Sequence, residues 1–147
     1  MPKYRKLIQC IYHCTYHIVW TPKYRYRVLE GKIAEIIERK IRQLCEWHSV
    51  EIAEMNVQVD HVHMLVSIPP KLSVSKFMGV LKGKTAIHIF EKKRYLREKP
   101  FWGNHFWARG YFVSTVGLDE EMVKRYVEHQ EKEGKRSEDD NKNYKLF

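Results

Sequence analysis

What is missing narrows the field before any motif is considered. No apolar run in the 147 residues approaches the roughly 20 needed to cross a bilayer, so no membrane span is expected. The basic start, Met1-Pro2-Lys3-Tyr4-Arg5-Lys6, leads into alternating polar residues with no small-residue cleavage site. No secretory signal is read there, and a cytoplasmic location is the expectation. Cysteine numbers three, an odd count that argues against a disulfide framework in a cytosolic chain. No repeat and no low-complexity linker divides the chain. One domain over 1–134 is therefore expected, followed by a charged tail over 135–147 that reads as flexible.

Positive charge is what the chain has in excess. Lysine and arginine number 27 against 18 acidic residues, a net +9. A surplus of that size on a small domain suggests a polyanionic partner, with nucleic acid ahead of a membrane surface because no amphipathic anchor stands out.

Gln9 to Trp20, rich in Ile, Tyr, Thr, Val and Trp, predicts a strand. On a helix, Cys10, His13, Cys14 and His17 would share one face and imitate a zinc site. On a strand the cysteines and histidines divide between two faces and cannot enclose one ion. Apolar residues from Lys32 to His48 fall at helical spacing and predict a packing helix. A strand follows from Val50 to about Met55 or Asn56, and then a run of β-branched and apolar residues from Val57 to Ile68, closed by Pro69-Pro70, predicts a buried strand. Ser73 is a plausible N-cap for a helix to about Lys93. Gly79 and Gly83 inside that helix suggest close approach by another helix or a phosphate backbone. Pro100 to Gly110 predicts an aromatic loop and Tyr111 to Val116 a fourth strand. Glu120 to Lys132 predicts a last helix, with Gly134 as its stop. The order is that of an α+β, ferredoxin-like or RRM-like βαββαβ sheet with both helices on one face, plus an additional C-terminal helix.

Chemistry concentrates at two places. His61 and His63 flank Val62, so on a strand they share a face about 6.6 Å apart, and imidazoles so placed can converge on one metal ion. On the last helix Tyr126 and Gln130 are four residues apart and therefore neighbours on one face. A tyrosine oxygen can serve as a nucleophile and a carboxamide oxygen as a neutral ligand. Thr21-Pro22-Lys23-Tyr24-Arg25-Tyr26-Arg27 interleaves cations with aromatics, a mixture suited to phosphate contact and base stacking, and equally compatible with an exposed loop.

Together these parts resemble the single-tyrosine HUH transposases of small insertion sequences, the IS200-like transposase family. The likeness rests on Asp60-His61-Val62-His63-Met64-Leu65 and on Tyr126 with Gln130. It extends through Tyr16 to Arg25, Leu81-Lys82-Gly83-Lys84, and Phe106 to Gly117. The resemblance implies a divalent ion, Mg²⁺ or Mn²⁺, held by His61, His63 and Gln130. It implies that Tyr126 attacks a phosphate of single-stranded DNA at hairpin-bearing element ends, leaving a 5′-phosphotyrosine link and a free 3′-OH. It further implies a homodimer in which the tyrosine helix acts in trans, with Gly117 as its pivot. Lys23, Arg25, Lys82, Lys84 and Arg109 are candidates for DNA contact from charge and position. Two alternatives stand beside this one. The first is a domesticated relative acting on palindromic chromosomal elements. The second is a non-catalytic nucleic-acid-binding regulator using Tyr12 and Tyr16 on an RRM-like sheet.

Overall fold

The computed structural model describes residues 5–7, 10–12, 14–98 and 105–116. The expected last helix, the tail over 135–147, and with them Tyr126 and Gln130, lie outside the described residues. Two compact units divide the chain, one comprising residues 1–14 with 116–147 and the other Thr15–Thr115.

In the first unit, β1 (Arg5–Leu7) and β2 (Cys10–Tyr12) form an antiparallel pair, Lys6 opposite Ile11. The single strand expected from Gln9 to Trp20 is therefore two. Cys10 belongs to this hairpin, whereas Thr15–Trp20 forms β3 in a different sheet. Propensity identified the strand residues but carries no information about which partner each half finds.

The second unit holds the α+β core. Its elements run β3, α1 (Gly31–Trp47), β4 (Glu51–Gln58), β5 (His61–Ser67), α2 (Val74–Lys92), a short α3 (Tyr95–Glu98) and β6 (Phe112–Thr115). The sheet order is β4-β5-β3-β6, antiparallel throughout, which is the ferredoxin-like arrangement. Ile33, Ile37, Ile41, Leu44 and Cys45 recur at helical spacing and are the buried residues of α1. Burial raises the Cys45 thiol to about 12, so it stays a neutral core group. Ser73 caps α2 by accepting the Lys76 N–H at 3.0 Å, and Phe77, Met78, Leu81, Thr85, Ile89 and Phe90 turn inward. Both helices press these residues against one face of the sheet, where Ile18, Trp20, Val62, Met64 and Val66 complete the core. At Gly79 and Gly83 an added Cβ would meet nothing within 4 Å. Neither glycine is there to admit another part of the described chain.

The strand expected over Val57–Ile68 divides at a two-residue turn, Val59-Asp60, that closes the β4–β5 hairpin with Gln58 opposite His61. Neither turn residue has a positive φ, so this is not the Asn-Gly type of hairpin whose sequence signal is strong. Leu29 N–H donates to the Val59 carbonyl at 3.0 Å and fixes the turn from outside.

Candidate active site

Alternation along β5 decides where the chemistry sits. Val62, Met64 and Val66 point into the helix-covered core, which leaves His61, His63 and Leu65 on the opposite, partly open face. The expectation that the two imidazoles share a face is met.

Each ring is held through one nitrogen. His61 Nδ1 lies 2.9 Å from Asp60 Oδ1, and the other carboxylate oxygen accepts from Arg25 at 3.0 Å. With Nδ1 so engaged, His61 has Nε2 left without a partner among the described residues. A carboxylate behind an imidazole is the arrangement that fixes tautomer and ring orientation in metal-ligating histidines. The His61 hydrogen bond, with the Arg25 guanidinium beside it, holds the Asp60 carboxyl below the usual carboxylate range. Arg25 reaches Asp60 from a strained turn, Lys23–Arg25, in which Tyr24 (φ 57°) and Arg25 (φ 54°) both occupy the left-handed region. Such non-glycine residues cost about 1–3 kcal/mol each and persist only where the surroundings over-determine them. Here Lys23 N–H donates to Phe106 O at 2.9 Å, and Ala108 N–H to Thr21 O at 2.9 Å.

His63 has a different partner, one the sequence did not single out for this site. His17 on β3 places Nδ1 3.2 Å from His63 Nε2. His17 lies opposite Leu65 in the register, diagonal to His63 and on the side away from His61. The strand alternation already gave His17 a face. Only the antiparallel register between β3 and β5, invisible in one sequence, puts that face beside His63.

The donor set fits a divalent cation in kind and in its shared face, although two imidazoles alone would suit Zn²⁺, Ni²⁺ or Cu²⁺ as well as Mg²⁺. Among the described residues no group of three or more His, Cys, Asp or Glu side chains is placed to hold an ion together. Gln130, the third ligand that the resemblance implies, lies outside the described residues.

The five basic candidates fall into distinct settings. Lys82 directs its ammonium to the carbonyls of Ala108 and Gly110, both at 2.8 Å, and burial lowers its pKa. It fastens the aromatic loop to α2, together with Trp107, whose Nε1–H donates to Thr85 Oγ1 at 2.8 Å. Arg25 is exposed but tied to Asp60. Lys84 is exposed on α2, as is Arg109 on the loop. Lys23 and Arg109 line a hollow of about 360 Å³ with Tyr24, His105 and Trp107. Arg109 also borders a second hollow of about 480 Å³, shared with Lys82, Arg97 and Phe90. Tyr16 packs against the core and so supplies no open stacking platform of the RRM kind.

The family model for IS200-like transposases matches residues 10–130. The chain belongs to the IS200-like transposase family. Relatives of this family member include the transposase for insertion sequence element IS200 of Salmonella typhimurium. That protein is 42% identical over 134 residues, spanning 91% of this chain and 88% of that one. The ISDra2 transposase TnpA of Deinococcus radiodurans is 33% identical over 121 residues, 82% of this chain and 86% of that one. A crystal structure of a Deinococcus radiodurans R1 protein superposes with TM-score 0.68 at 30% identity, covering 88% of this chain and 98% of that one. The structure of a REP-associated tyrosine transposase bound to a REP hairpin shares the fold, with TM-score 0.54 at 14% identity over 88% of this chain and 74% of that one. The matched family range takes in His61 and His63 and also Tyr126 and Gln130.

Proposed function

We propose that this family member cleaves and rejoins single-stranded DNA at hairpin-bearing element ends, with Tyr126 as nucleophile and His61, His63 and Gln130 as ligands of Mg²⁺ or Mn²⁺. The observation that carries the reading is the His61 imidazole, held at Nδ1 by the Asp60–Arg25 pair with Nε2 left over for an ion. A bound divalent ion supplies Lewis-acid polarisation of the scissile phosphate. The Tyr126 oxygen forms a bond to phosphorus as the bond to the 3′ oxygen breaks. The phenolic proton passes to solvent, and the departing oxygen becomes a 3′-OH. A 3′-OH from a second strand reverses the step, so the phosphodiester bond energy is conserved and no ATP is required.

Lys23, Arg109 and Lys84 are proposed to meet phosphates, the first two beside the aromatic hollow. Arg25 and Lys82 are proposed to act on DNA chiefly through what they hold in place, respectively the Asp60 carboxylate and the aromatic loop. Joining two element ends calls for a homodimer, with the Tyr126 segment of one copy serving the histidines of the other and Gly117 as the pivot.

The test is incubation of the purified chain with end-labelled single-stranded hairpin DNA from its flanking sequence, with Mg²⁺ or Mn²⁺, run on a denaturing gel. A covalent protein–DNA band is expected from the wild type and not from Tyr126→Phe. Hairpin binding without an adduct under either ion would replace the enzymatic reading with a regulatory one.

A further inference from the structure

The contact between His17 and His63 has a geometry that is informative by itself. The rings are parallel within 4° and their centres are 5.5 Å apart, with nitrogens at 3.2 Å. That contact is as short as this separation of centres permits, so both nitrogens lie on the line joining the centres. The two imidazoles therefore share a plane and meet edge to edge in a linear N–H···N hydrogen bond, one ring donating and the other accepting. They do not stack face to face.

A linear arrangement excludes joint ligation. Two nitrogens aimed straight at one another would need to be about 4 Å apart to admit an ion between them, given metal–nitrogen bonds of about 2.0–2.1 Å. At 3.2 Å there is no room. The direction also matters. His17 is registered with Leu65 and Val19 with His63, so His63 turns its outer nitrogen toward the Leu65 end of β5, away from His61.

We infer that His17 is a placeholder for the metal on His63. It occupies Nε2, and ligation through that nitrogen requires it to leave His17 and turn toward His61. The inference rests on the proposed metal site and adds to it a positioning residue that competes with the ion. The two histidines are then prepared in opposite ways: Asp60 leaves Nε2 of His61 available, whereas His17 covers Nε2 of His63.

Binding of Mn²⁺ alone, measured by calorimetry on the wild type, His17→Ala and His17→Asn, tests this directly. His17→Ala removes the competing partner and is expected to bind Mn²⁺ roughly three- to tenfold more tightly, the equivalent of one net hydrogen bond. His17→Asn restores a polar group where Nδ1 stood and is expected to return toward wild-type affinity. Unchanged or weaker binding by His17→Ala would overturn the inference, weaker binding because His17 would then be orienting a ligated ring. If the wild type binds no Mn²⁺, the metal reading falls and this inference falls with it. On ¹⁵N-histidine-labelled wild type, nitrogen–nitrogen coupling across the bond is expected in the metal-free chain and is expected to vanish at saturating Mg²⁺. Absence of the coupling without metal, or its persistence with metal bound, would overturn the inference whatever the variants do.

Discussion

Val62, Met64 and Val66 are fully buried, whereas the residues between and before them, His61, His63 and Leu65, are only partly so. One strand thus carries two surfaces with different obligations. On the helix-covered side every side chain meets apolar neighbours, so a lost methyl group leaves a cavity that the packing cannot close. On the open side the histidines interact through single hydrogen bonds to Asp60 and His17, which water can replace at modest cost. Stability and the proposed chemistry therefore fall to different residues of this sheet.

The sharpest way to break that comparison is to truncate on each side in turn. Met64→Ala is expected to lose about 2–5 kcal/mol of folding stability in urea denaturation. His63→Ala is expected to lose about 1 kcal/mol or less in the same assay. Equal losses would mean that the open face is as structurally committed as the covered one. A smaller effect is expected at the boundary between α2 and the aromatic loop. Thr85→Val keeps the shape but strands the buried Trp107 Nε1–H, an expected cost of about 1–3 kcal/mol. A calorimetric melt should register it, and a melt like that of the wild type would show that the loop does not depend on this bond. The mildest structural change is Asp60→Asn on the open side. It is expected to leave the thermal midpoint close to that of the wild type while weakening Mn²⁺ binding about 10- to 100-fold, because the carboxylate behind His61 is lost. A large fall in the midpoint together with unchanged affinity would reverse the division of labour between the faces.

The limits of what could be read from residue order follow the same division. The α1 and α2 boundaries came within a residue or two of Gly31–Trp47 and Val74–Lys92, since apolar spacing and the Ser73 cap are local signals. Neither the strand expected from Gln9 to Trp20 nor the one expected from Val57 to Ile68 is a single element. The first divides between two sheets. The second divides at Val59-Asp60, a turn without glycine or asparagine to announce it. The charge of Lys82 is legible in a sequence, whereas the two carbonyls it holds, 26 and 28 residues away, are not. The open space beside Gly79 and Gly83 was equally hidden.

By itself the sequence determined the periodicities: which residues make α1 and α2, and that His61 and His63 share a face because side chains on a strand alternate. It also carried the motif spacing that identifies the family. Tertiary structure alone decided what stands behind each histidine. Asp60 is a chain neighbour of His61, but it is steadied by Arg25, 35 residues earlier. His17 lies 46 residues from His63 and reaches it only because β3 pairs antiparallel to β5 in one particular register. Alternation is a property of a single strand and can be read along it. Register is a property of two strands, and nothing along either one records where the other will lie.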